Sequence, residues 1–209
     1  MTDLVLATHN PHKKEELVAL LADLPLTVHT LDEYPGAPVV EEDGETCLAN
    51  ATKKAEGIAR YTGILTLADD TGLEVDALGG RPGVYAARYA GEHATYEENW
   101  RKLLQELNGV PLERRTARFR TVVAIVSPDG EVSIVEGVLD GLIATEPQGT
   151  GGFGYDPVFW VPSLGQTLAQ LSLEEKNRIS HRARALCKAK ELIERQFIRP
   201  SISGRGAAR

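Results

Sequence analysis

Cysteine is nearly absent: the 209-residue chain has two, Cys47 and Cys187, with no Cys-x-x-Cys pair and no Cys/His zinc spacing. That excludes a disulfide framework and a zinc finger, and the two thiols read as reduced core residues on helices. Aromatic residues make up only 6% of the chain, and there is a single methionine. No apolar run approaches the roughly 20 residues a bilayer span needs, and Met1-Thr2-Asp3 opens without the basic region or apolar stretch of a secretory signal. Excess positive charge is missing too. A net charge of -7 argues against a nucleic-acid or anionic membrane partner, although clustered lysines can still hold a small anion. Neither a G-x-S-x-G elbow nor a Walker P-loop is present.

What remains is ordinary for a globular protein, with 42% hydrophobic and 25% charged residues. The length suits one large domain or two lobes, here taken as residues 1–198 followed by a polar, glycine-containing and disordered tail at 199–209. A cytoplasmic enzyme or binding protein fits this profile.

Hydrophobic patterning alternates strands with helices. Leu4 to Thr8 reads as a strand, and Asn10-Pro11 caps a helix running to Leu21. A strand at Leu26–Leu31, an acidic loop from Asp32 to Glu45 and an Ala-rich helix from Thr46 to Tyr61 follow. Two short strands, from Ile64 and at Leu73–Ala77, bracket Asp69-Asp70-Thr71-Gly72. Capping boxes at Thr95/Glu98 and Ser172/Glu175 open helices, and Pro128-Asp129-Gly130 marks a hairpin between Thr121–Val126 and Val132–Val138. An aromatic strand at Val158–Val161 and a helix from His181 to Phe197 complete an α/β pattern with a mixed sheet.

Five segments can carry chemistry. Asp69-Asp70 stands where an apolar strand stops, the end at which ligands collect in open α/β sheets. Side chains alternate along a strand, so the two carboxylates should point opposite ways. A plain strand-end turn is the alternative, because Asp-Asp-Thr-Gly is good turn chemistry. Thr8-His9-Asn10-Pro11-His12-Lys13 is a strand-to-helix junction, where free N–H groups and a first-turn lysine favour an anion. Glu41-Glu42-Asp43, beside the paired aspartates, offers oxygen ligands for Mg²⁺. Gly149-Thr150-Gly151-Gly152-Phe153-Gly154 matches the dinucleotide fingerprint formally, but neither a strand before it nor a helix after it is present. A loop with Phe153, Tyr155 and Asp156 instead suits stacking on a heterocyclic base. Lys176 and Ser180-His181-Arg182 add donors for phosphate or a carbonyl edge. Acids for a metal, cations for phosphates and aromatics for a base together describe a nucleotide site.

The strings LATHNPHKKEEL, EEDGETCLANATKKA, ADDTGLEVDALGGRPGVYAARYAG, GTGGFGYDPVF and EEKNRISHRARAL, in this order, resemble the inosine/xanthosine triphosphate pyrophosphatases, or Ham1-like proteins. They span nearly the whole chain up to the last helix. Cys47 departs from the pattern, standing where an aromatic is usual. The resemblance implies an elongated mixed sheet flanked by helices, two lobes with a central cleft, and a homodimer. It also implies Mg²⁺-dependent hydrolysis of ITP, dITP or XTP to monophosphate and pyrophosphate, which clears deaminated purines from the nucleotide pool.

By the same resemblance, Asp70 is the general base and a metal ligand, and Glu41 is the second metal carboxylate. Thr8, His9, Asn10, Pro11, His12 and Lys13 hold phosphates. Thr71, Phe153, Gly154, Tyr155, Asp156, Lys176, His181 and Arg182 bind substrate. Lys13, Lys54 and Lys176 are expected to offset charge on the pyrophosphate, Phe153 to stack on the base, and Arg182 to donate to its 6-oxo group. Two other classes fit part of the pattern. One is a Maf-type pyrophosphatase acting on pyrimidine nucleotides; the other is a non-catalytic nucleotide-binding module.

Overall fold

The computed structural model describes residues 2–198, so the tail expected at 199–209 lies outside the described residues. Eight strands form one mixed sheet: β1 (Thr2–Leu6), β2 (Leu26–Thr30), β3 (Leu65–Val75), β4 (Pro82–Gly83), β5 (Thr116–Val126), β6 (Val132–Ile143), β7 (Phe159–Val161) and β8 (Gln166–Thr167). Their order is β2-β1-β3-β5-β6-β7-β8, with β4 paired to β3. β1 runs parallel to β2 and β3, whereas β3, β5 and β6 form an antiparallel meander. Five α-helices flank the sheet: α1 (Pro11–Leu21), α2 (Cys47–Thr62), α3 (Tyr96–Glu106), α4 (Leu173–Ile179) and α5 (His181–Ile193).

Helix starts follow the sequence closely. Asn10 caps α1 by accepting from the His12 and Lys13 amides, and Thr46 caps α2. Both capping boxes close as expected, Thr95 with Glu98 and Ser172 with Glu175. The last helix stops at Ile193 and continues as a π-helical turn, Glu194–Ile198.

One strand assignment needs correction. The two short strands around Asp69-Asp70 are a single eleven-residue strand, β3, and the aspartates lie in its middle. Ten consecutive pairs with β5 run from Thr66–Val126 to Val75–Ala117. That pairing satisfies the backbone groups that would otherwise have favoured a turn.

Apolar packing divides into three clusters. Leu4, Leu6, Leu65 and Leu67 pack under α1 and α5 on one face. Val5, Ala7, Ala68 and Val122 pack under α2 on the other. Leu73, Val75, Phe119 and Phe159 form a third cluster, with α3, at the far end of the long strands. Cys47 is buried as expected; Cys187 is exposed on α5, and both are free thiols.

Gly137 fixes how closely α5 approaches the sheet. A Cβ there would fall 2.1 Å from the His181 carbonyl oxygen and 2.4 Å from the Ala185 amide nitrogen. Gly137→Ala should therefore lift the first turn of α5 and cost about 1–3 kcal/mol of stability, as overpacking does. Thermal denaturation measures it, and an unchanged melting temperature would show that α5 tolerates the shift.

Candidate active site

A cleft of about 270 Å³ lies between the cluster under α2 and the cluster at the far end of the long strands. Thr8, His9, Asn10 and Lys13 line it from the β1–α1 junction, as does Lys54 from α2. Asp70 and Thr71 enter from β3, and Phe153, Gly154, Tyr155 and Asp156 from the glycine loop. Lys176, His181 and Arg182 complete the wall from α4 and α5. Pro11 and His12 do not line it; both are exposed.

Strand alternation splits the paired aspartates. Asp69 faces α1 and α5, where Oδ2 accepts from Arg182 Nε at 3.1 Å and lies 3.3 Å from Lys13 Nζ. Burial alone would raise its pKa, but the charges of Lys13, Arg182 and Lys54 outweigh burial and hold it well below the ordinary carboxylate range. Its other oxygen, Oδ1, is buried without a partner among the described residues.

Asp70 faces α2. Its Oδ2 accepts from Asn50 Nδ2 at 3.1 Å, and the nearest cation, Lys54 Nζ, is 4.0 Å from Oδ1. Here burial wins and raises the pKa, helped by the Glu42 charge and opposed by Lys13, Lys54 and the Asn50 bond. Lys54 donates to Glu42 Oε1 at 2.5 Å and to the Asp69 carbonyl at 2.7 Å. Two carboxyl groups thus share one ammonium. Cys47 lies beside Asp70, and burial pushes its thiol up to about 12, so it stays protonated and unreactive.

Glu41 is not brought to the site. It is exposed, and the adjacent Glu42 lines the cleft in its place. In an extended loop neighbouring side chains point to opposite sides. Arg88 Nη2 donates to the Glu42 carbonyl at 2.9 Å, and Asn50 Oδ1 accepts from the Gly44 amide at 2.8 Å, which fixes Glu42 as the inward residue.

The other half of the site is a buried ion network. Lys176 Nζ contacts Asp156 Oδ2 at 2.5 Å and Glu16 Oε1 at 2.8 Å. Arg182 Nη1 donates to Glu16 Oε2 at 2.5 Å, and its Nη2 to Thr71 Oγ1 at 3.2 Å. Lys176 is therefore paired with two carboxylates and braces the glycine loop at the cleft wall. Asp156 is committed as well: its Oδ2 also accepts from the Phe153 amide at 2.9 Å, and burial raises its pKa despite Lys176. Gly152, at φ +68°, permits that fold-back, since a Cβ there would lie 2.1 Å from Asp156 Oδ2. Tyr155 is buried and donates to the Ala86 carbonyl, so its hydroxyl serves packing.

Phe153 remains in the cleft wall, with His12 stacked on it at 5.2 Å and Tyr96 tilted against both rings. Buried His181 donates or accepts through Nδ1 with Thr121 Oγ1 at 2.6 Å. Burial first, then the charges of Arg182 and Lys176, lower its pKa well below the ordinary value, so the ring is neutral.

Sequence reasoning missed Glu16, Asn50 and Thr121, and offered Glu42 only as one carboxylate of the acidic loop. Glu16 carried a faint signal, lying on the helical face of Lys13 and Leu20. The others look like ordinary polar residues until β3, α2 and β5 are brought together.

The sequence model of the Ham1 family matches residues 4–192. A dITP/XTP pyrophosphatase from Geobacter sulfurreducens is 53% identical over 198 residues, covering 95% of this chain and 100% of the relative. Another from Desulforamulus reducens is 52% identical, covering 95% and 99%. Among solved structures, a HAM1 protein from Coxiella burnetii superposes with a TM-score of 0.84 at 42% identity, covering 92% of this chain and 98% of that one. The Ham1 protein of Staphylococcus aureus gives 0.82 at 40%, with the same coverage.

Proposed function

The chain belongs to the Ham1 family, and from that premise we propose that it hydrolyses non-canonical purine triphosphates (ITP, dITP and XTP) to the monophosphate and pyrophosphate. The observation that carries this is the division of labour on β3: Asp69 is neutralised by buried cations, whereas Asp70 faces the cleft short of positive charge. A divalent cation fits that deficit. Asp70 and Glu42 offer only carboxylate oxygens, the ligand type Mg²⁺ takes alongside phosphates and water. Bound there, Mg²⁺ would draw charge from the phosphate oxygens and polarise the attacked phosphorus.

The chain's own groups supply the rest. Asp70, the carboxylate that faces the cleft, orients the attacking water and takes its proton. Asn50 holds Asp70 by one oxygen, leaving the other turned toward Lys54. The N-terminus of α1 and Lys13 receive the triphosphate. Phe153 flanks the base, and Arg182, with three of its five N–H groups bound to Asp69, Glu16 and Thr71, keeps two for a 6-oxo group. A 6-amino purine would present a donor to those donors. A homodimer in the cytoplasm belongs to the same reading; no helix of the described residues is long and apolar enough to cross a membrane.

A substrate panel scored by pyrophosphate release tests this. ITP and XTP should exceed ATP by at least about a hundredfold, with turnover lost in EDTA and restored by Mg²⁺. Preference for pyrimidine triphosphates would favour a Maf-type enzyme, and tight ITP binding without turnover would favour a binding module.

A further inference from the structure

We propose that Tyr96, the first residue of α3, binds the sugar of the nucleotide, its hydroxyl donating a hydrogen bond to a sugar hydroxyl oxygen. The proposal rests on the purine-triphosphate reading above and adds the part of the substrate that lies between base and phosphates. Tyr96 lines the cleft, and its hydroxyl oxygen is 3.1 Å from Asn10 Nδ2. Its ring is tilted against Phe153 at 5.9 Å and 48°, and against His12 at 6.2 Å and 55°. In the sequence it is no more than the residue after a helix cap.

Asn10 fixes the direction of the bond. Its Oδ1 accepts from the His12 amide at 3.0 Å and from the Lys13 amide at 3.2 Å. Two N–H donors require an oxygen there, because an amino group would turn its own hydrogens against them. The side-chain nitrogen of Asn10 therefore faces Tyr96. A carboxamide nitrogen only donates, so the Tyr96 oxygen accepts. The phenolic hydrogen is left over, and it has no acceptor among the described residues.

Tyr96 is held in place from its own side of the cleft. The capping box of Thr95 and Glu98 starts α3. Three residues on, buried Asn99 accepts from the Ala90 amide at 2.7 Å and donates to the Ala87 carbonyl at 3.0 Å. From that anchored helix the phenol meets both the start of α1 and the glycine loop. The start of α1 receives the triphosphate, and Phe153 flanks the base. The sugar joins these two parts, and its hydroxyl oxygens are acceptors. A donor standing between Asn10 and Phe153 is matched to it.

Tyr96→Phe removes the hydroxyl and keeps the ring, and the exposed Asn10 amide can turn to water. Calorimetric titration in EDTA, where turnover does not interfere, compares ITP, 2′,3′-dideoxy-ITP and inorganic tripolyphosphate as ligands. The wild type should bind ITP more tightly than the dideoxy nucleotide. The variant should lose about fivefold in affinity for ITP, the size of one neutral hydrogen bond, and nothing for the other two ligands. Wild-type protein that binds ITP and dideoxy-ITP equally overturns the proposal, whatever the variant does. So do equal losses for all three ligands, which would mean that the hydroxyl acts on the phosphates, directly or through Asn10. The two readings fail separately. A wild-type protein that binds ITP but releases no pyrophosphate from it with Mg²⁺ removes the proposed function and leaves the sugar contact standing; one that binds no ITP overturns both.

Discussion

Asp70→Asn is expected to lower pyrophosphate release from ITP by about a thousandfold, within the range for loss of a positioned general base, and to raise the melting temperature of the metal-free protein. The two effects share one cause. Asp70 is buried, with its closest cation 4.0 Å away, and its pKa is raised. A carboxyl whose folded pKa lies above its unfolded value is destabilising once ionised, at pH above that folded pKa. The amide removes this cost at neutral pH and keeps a group that still meets Asn50. Activity is measured with saturating Mg²⁺ and thermal unfolding in EDTA. Near-normal turnover would remove Asp70 from the chemistry; a lower melting temperature in EDTA would show that the carboxylate is better solvated than its surroundings indicate.

The second large effect is on stability. Glu16→Leu should cost about 3–5 kcal/mol, as breaking one side of a buried ion pair does, and lower the melting temperature by about 10 °C. Glu16, Asp69 and Asp156 are three buried carboxyl groups facing the three cations Lys13, Lys176 and Arg182. Removing Glu16 leaves the buried Lys176 and Arg182 sharing fewer acceptors. Glu16→Gln retains a hydrogen-bonding oxygen, so it should lose less, and the difference between the two variants measures the charge. Equal, small losses for both would mean that the network relaxes around the gap. Because Lys176 braces the Phe153 loop and Arg182 lines the cleft, the leucine variant should also raise KM for ITP.

Much of the architecture was legible from local signals. Asn10-Pro11, Thr95/Glu98 and Ser172/Glu175 are capping patterns whose hydrogen bonds close within four residues, so distant contacts do not alter them. The Pro128-Asp129-Gly130 hairpin is equally local. Asp69-Asp70-Thr71-Gly72 reads as a strand end because its residues favour turns, and ten backbone pairs with β5 override that preference. The ordered motifs that resemble the Ham1-like proteins foretold the family, which the family match and the superpositions bear out.

The candidate site divides along the same line. The identities of Asp70, Lys13, Phe153, His181 and Arg182 could be picked from the sequence because their residue types and motif contexts announce nucleotide chemistry. That Asp69 and Asp70 oppose one another follows from strand alternation alone. Which of them meets cations and which is left short depends on α1 and α5 covering one face of β3 and α2 the other. Glu42 turns inward instead of Glu41 because Arg88 and Asn50 pin a loop that has no regular period. Lys176 and Asp156 neutralise each other, and Thr121 meets His181 sixty residues away, only once the chain is folded. Sequence determined the residues and their alternation, which are properties of neighbouring bonds. Tertiary structure decided the charge balance of each carboxyl and the partner of the buried imidazole, because those are set by groups distant in the chain and close in space.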